Sequence, residues 1–166
     1  MPEMEKPPLQ PIRVLFLCTH NSSRSQMAEG LLRARGGAAF EVFSAGTEPR
    51  TVHPLAIKAM QELGIDLSQH TAKGIDTFAA KPALDLVITV CDEAQEACPF
   101  FPNARKQVHW GFPDPSRVMG TEEERLAAFR RIRDLIAVKI SRFLGYNSSF
   151  SLEQLYAAAK AEELQA

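Results

Sequence analysis

Apolar runs of strand length alternate along this chain with stretches whose apolar residues recur every three or four positions. Ile12 to Leu17 is the first run. After it, Met27, Leu31 and Leu32 share one face of a helix, Glu29 and Arg33 form an i,i+4 pair, and Gly36-Gly37 ends the element. Phe40 to Ala45 predicts a second strand. Pro54 suits the first position of a helix whose apolar side is Leu55, Ile57, Ala59, Met60 and Leu63, stopped by Gly64. The stretch from His70 to Pro82 is weakly patterned and predicts a short helix with loops. Leu84 to Val90 is nearly all apolar, as a strand buried on both faces would be, and Gln107 to Phe112 predicts a fourth strand. Thr121-x-x-Glu124 is a capping box opening a long helix with Leu126, Phe129, Ile132, Ile136, Ile140 and Phe143 on its inner face, ended by Gly145. Ser151-x-x-Gln154 opens an Ala-rich terminal helix suited to packing or partner contact. Strand and helix in alternation predict an α/β fold built on a parallel sheet.

At 166 residues the chain suits one domain with a real core. We divide it into a loose, polar, proline-rich tail over residues 1–11, one catalytic domain over 12–145, and a helical extension over 146–166. A net charge of −1 gives no electrostatic case for nucleic acid or an anionic membrane as partner. No apolar run approaches transmembrane length, and the tail has no apolar signal core, so a reducing cytoplasm is the expected setting. There, three cysteines imply catalytic or metal chemistry more readily than structural disulfides.

Chemistry concentrates where the first strand meets the first helix, in Cys18-Thr19-His20-Asn21-Ser22-Ser23-Arg24-Ser25. A tight loop at a helix N-terminus converges backbone N–H groups on one point and favours negative charge there. Arg24 adds a fork of donors suited to a tetrahedral oxyanion. The same field favours the thiolate of Cys18, the reactive form of a cysteine. Ser25 is placed to cap the helix. The whole stretch reads as a sulfur nucleophile in an oxyanion cradle.

The other two cysteines, Cys91 and Cys98, follow the third strand and bracket Asp-Glu-Ala-Gln-Glu-Ala, a good helix-forming run. A helix would separate them by about 10.5 Å along its axis, whereas a disulfide needs Cα atoms within about 7 Å. The pair therefore reads as a conformational redox switch, closing only if the segment unwinds. Two buried structural thiols are the plain alternative. A metal site with His109 as a further ligand is weaker, since C-x6-C lacks the usual short zinc spacing. Asp114 sits in a rigid, proline-flanked loop after Trp110 and Phe112, where an acid near the cradle could protonate a departing oxygen. Trp110 and Phe112 themselves suit packing or a pocket wall.

CTHNSSRSQMAEGLL, VITVCDEAQEACPFFP and HWGFPDPS together resemble the arsenate reductases of the thioredoxin-coupled type, which share the fold of low-molecular-weight protein tyrosine phosphatases. The resemblance covers about residues 12 to 145 and implies a three-layer α/β fold, with a four-stranded parallel sheet flanked by helices. It implies that Cys18 attacks arsenate held by the loop and Arg24, with Asp114 as proton donor. Cys91 then attacks Cys18, and Cys98 closes a Cys91–Cys98 disulfide for thioredoxin to reduce. No bound cofactor or metal is implied. Asn21 matches the family residue that shapes the loop, and Ser25 the one that supports the thiolate.

Two positions depart from the family pattern. His20 stands where relatives commonly carry Gly, and such loops often want φ > 0, which His tolerates better than most residues. Ser23 replaces a Cys found in some relatives. The alternatives are a phosphatase using Cys18, Arg24 and Asp114, disfavoured for phosphotyrosine by Ser116 after the Asp-Pro, and a non-catalytic thiol module that binds arsenite or a soft metal.

Overall fold

The computed structural model describes residues 10–79, 82–92, 96–145 and 151–163. Most of the N-terminal tail and the middle of the segment between Cys91 and Cys98 lie outside that set. Four strands, β1 (Ile12–Cys18), β2 (Phe40–Gly46), β3 (Leu84–Thr89) and β4 (Ala104–His109), form one sheet in the order β2-β1-β3-β4. All pairings are parallel, with Leu17 in register with Ala45 on one side and Thr89 on the other. β1 is central, which is why its run is apolar without alternation: Val14 to Leu17 are fully buried.

Helices α1 (Arg24–Gly36), α2 (Pro54–Gln61), α4 (Glu122–Leu144) and α5 (Leu152–Glu162) share one core with Val14, Phe16, Leu86, Ile88 and Val108 of the sheet. The opposite face, carrying Leu15, Leu17 and Val87, is covered by Phe78 of α3 (Asp76–Ala79) and by Phe101. Helix ends follow the sequence signals. Thr121 and Glu124 form the full capping box, and Ser151 accepts from Gln154 N. Glycine takes positive φ where the chain reverses out of a helix, at Gly37 (61°) and Gly145 (57°). α5 belongs to the main core, with Leu155 and Ala159 buried and Trp110 Nε1 donating to Ala159 O at 2.9 Å.

Two expectations about elements need correction. β4 begins at Ala104 and ends at His109, three residues earlier at each end than the apolar pattern suggested. It is an edge strand, so its first residues are polar and partly exposed, while Trp110 and Phe112 are buried after it in the loop toward the site. Ser25 is the second residue of α1, not its cap; Ser23 precedes the helix without a capping hydrogen bond.

Candidate active site

The loop from Cys18 to Arg24 leaves the carboxyl end of the central strand, where open parallel sheets place their ligands. The strip after β2 pins it from outside. Glu48 N donates to Thr19 O (2.8 Å), Arg50 N to His20 O (3.0 Å) and His53 N to Ser22 O (2.9 Å). Across each planar peptide the N–H points opposite to the C=O. With those carbonyls turned out, the amides of His20, Asn21 and Ser23 face inward, and Asn21 N donates to Cys18 Sγ at 3.2 Å. Gly46 ends β2 directly against the loop: a Cβ there would lie 2.5 Å from Thr19 O and 2.7 Å from Asn21 N. No side chain fits that position.

Positive φ in this loop falls on Asn21 (49°), not on His20 as expected. His20 lies at the rim with Nδ1 3.0 Å from Glu48 O, so its ring replaces nothing the backbone needs. Asn21 is fully buried and hydrogen-bonded throughout. Its amide donates to Ser25 Oγ (2.8 Å), and its Oδ1 accepts from Gln26 Nε2 (3.0 Å) and Lys73 N (2.8 Å). Ser25 Oγ, already accepting from Asn21, turns its own hydrogen to Cys18 Sγ at 2.8 Å. Two hydrogen-bonding groups thus meet the buried sulfur and fix its position.

Arg24 is buried at 3% exposure and donates through Nη1 to Phe112 O at 3.1 Å. Asp114 Oδ2 lies 3.7 Å from its Nη2, while Oδ1 accepts from Ser116 N and Oγ at 2.9 and 2.7 Å. Cys18, Arg24 and Asp114 are therefore gathered around one cavity of about 290 Å³, walled also by His20, Ser22, Ser23, Arg50 and His53. Its size suits a small anion. Burial lowers the Arg24 pKa, but its hydrogen bonds to Glu96 and the charges of Cys18 and Asp114 outweigh it and raise it overall. Burial and the nearby Arg125 push His53 below the usual histidine range, so the cavity wall there tends to be neutral.

Cys91 and Cys98 are joined in a disulfide with Cα atoms 6.0 Å apart, well short of the axial span of a helix over seven residues. The bridge sets the pair apart from two structural thiols. Cys91 is fully buried, just past the end of β3 and beside the end of β1. A ring nitrogen of His109 and the two sulfurs lie within 4.8 Å of one another, but sulfurs bonded to each other do not form a thiolate ligand set.

Three residues at the site escape a sequence reading. Gly46 and Gln26 act through the loop backbone and the buried amide network. Glu96 forms a two-pronged ion pair with Arg24, at 2.5 and 2.7 Å. The available signal for Glu96 was a carboxylate placed between the two redox cysteines.

The family model described as low molecular weight phosphotyrosine protein phosphatase matches residues 13–158. The arsenate reductase of Halalkalibacterium halodurans is 48% identical over 130 residues, covering 78% of this chain and 93% of that protein. The arsenate reductase of Bacillus subtilis is also 48% identical, with the same coverage. A solved structure of an arsenate reductase in the oxidized state superposes with a TM-score of 0.66 at 32% identity, over 80% of this chain and 96% of that one.

Proposed function

The chain belongs to the low molecular weight phosphotyrosine protein phosphatase family, and within it we propose that it is an arsenate reductase working by a three-cysteine relay that thioredoxin resets. The observation that carries this reading is the Cys91–Cys98 disulfide beside a loop built for a sulfur nucleophile. A phosphatase has work for Cys18, Arg24 and Asp114 but none for that pair.

Cys18 Sγ attacks the arsenic of arsenate seated on the inward amides and the Arg24 fork. Asp114 gives its proton to the departing oxygen, which leaves as water. Cys91 then attacks Cys18 Sγ. A Cys18–Cys91 disulfide forms, the sulfur–arsenic pair of electrons stays on arsenic, and arsenic(V) leaves as arsenite. Cys98 attacks Cys91 Sγ, frees the Cys18 thiolate and leaves the Cys91–Cys98 bridge. Two thiols are oxidised for each arsenic reduced, and thioredoxin returns the two electrons. Bridging needs Cys91 and Cys98 drawn in to 6.0 Å between Cα atoms, which excludes a helix running the full length from one to the other.

The test supplies arsenate, thioredoxin, thioredoxin reductase and NADPH, and follows NADPH consumption in the wild type and in each Cys→Ser variant. Turnover is expected to vanish for all three variants. Turnover surviving in Cys98→Ser would overturn the relay, and hydrolysis of an aryl phosphate far faster than arsenate turnover would favour the phosphatase.

A further inference from the structure

Glu96 lies two residues before Cys98, on the segment that the disulfide closes. Its carboxylate receives Arg24 Nη1 at 2.5 Å, Arg24 Nη2 at 2.7 Å, Thr19 Oγ1 at 2.7 Å and Asp92 N at 2.7 Å. Two planar oxygens on a guanidinium fork, with a loop hydroxyl as third donor, are the contacts that two oxygens of a tetrahedral anion would make. We propose that Glu96 is an internal competitor for the oxyanion seat, docked on Arg24 while Cys91 and Cys98 are bridged and withdrawn when they are reduced.

The docked carboxylate is well satisfied. Burial alone would raise the pKa of Glu96, but hydrogen bonds from Arg24, the Asp92 amide and Thr19 hold it at about 2. It is therefore charged at neutral pH and opposes any second anion on the same fork. The disulfide is what places it. In the bridged form Cys98 lies 6.0 Å from Cys91, Cα to Cα, Glu96 N donates to Asp92 O at 2.8 Å, and the Glu96 side chain reaches Thr19 and Arg24. Reduction removes that tether.

The consequence is directional. Closing the bridge occupies the Arg24 fork as the reduced product leaves, so phosphate entering the cavity beside Cys18 meets no free guanidinium on a protein that has no electrons to give. Linkage requires the converse: an anion on Arg24 favours the open dithiol.

The proposal rests on reading the loop as an anion site. Its test uses inorganic phosphate, which needs no turnover. Calorimetric titration of the full chain, bridged and reduced, is expected to show phosphate binding at least tenfold weaker to the bridged form. Bridged Glu96→Ala and Glu96→Gln should bind within about threefold of the reduced wild type. In a thiol–disulfide buffer, saturating phosphate should shift the wild-type equilibrium toward the dithiol, and this shift should disappear in both variants. Equal affinity for the two wild-type forms would overturn the proposal, as would bridged variants that still bind weakly. NADPH-coupled arsenate turnover, followed separately, keeps the two readings apart. Redox-gated phosphate binding without turnover sinks only the reductase, and turnover without gating sinks only the competitor.

Discussion

Asn21 Nδ2 and Cys18 Sγ share one hydroxyl, each lying 2.8 Å from Ser25 Oγ. The Cys18 sulfur is thereby linked through Ser25 to a side chain whose own backbone takes the one positive non-glycine φ among the described residues. Asn is suited to both tasks, since its short amide tolerates the left-handed region better than most side chains and bonds locally.

Substitution should separate these two tasks. Asn21→Gly keeps the backbone freedom and loses the hydrogen bonds, whereas Asn21→Ala loses both. Both variants should turn over arsenate several-fold more slowly, since the bonds lost, to Ser25, Gln26 and the Lys73 amide, are between neutral groups and contribute about 0.5–1.5 kcal/mol each. In thermal melts the Ala variant should be the less stable by about 1 kcal/mol, reversing the usual order of Ala and Gly. An Ala variant more stable than the Gly variant would remove the backbone argument.

Glu62, just past α2, accepts from Arg130 and Arg133 of α4, at 2.7 and 2.8 Å for the closest contacts. The hydrogen bonds from Arg130, then those from Arg133, hold its carboxyl at about 2, against an ordinary 4.5. A carboxylate depressed on folding adds stability above its unfolded value and loses it as pH falls through its folded one. Glu62→Gln should therefore melt below the wild type at pH 7, with the gap intact down to about 4.5 and closing toward 2. A gap that persists at pH 2 would place the effect elsewhere.

Leu155 on α5 is buried at 2% exposure against the main core, near the Ala159 carbonyl that receives Trp110 Nε1. Leu155→Ala should cost about 2–4 kcal/mol in urea unfolding. Trp110 is the only tryptophan and fully buried, so its fluorescence reports the transition directly. A cost below about 0.5 kcal/mol would mean that α5 contributes little to the core.

What the sequence showed and what it concealed divide along locality. The loop from Cys18 to Arg24 is readable because strand, cysteine, arginine and helix are adjacent, and the Thr121–Glu124 box because capping is a short-range signal. The start of β4 was missed because Arg105 and Lys106 are polar residues on an edge strand, where alternation carries little information. Ser25 passed for a cap because serine bonds equally well to a helix amide or to a sulfur, and only three-dimensional packing decides. Glu96 was hidden for the strongest reason. Its partner Arg24 is 72 residues away, and the contact exists in a segment whose local composition favours a helix.

The end of α5 has a consequence for how this protein keeps company. β4 is an outer strand, and Trp110 N donates inward to Thr89 O at 2.7 Å, so the neighbouring His109 N–H points away from the sheet. Glu163 Oε1 accepts that outward N–H at 2.7 Å. An open strand invites another chain to add to it, and here an acidic side chain, itself held by Lys160 at 2.7 Å, stops that growth at its first rung. The chain end of α5 thus occupies the outward N–H of β4 at His109 as well as packing on the core.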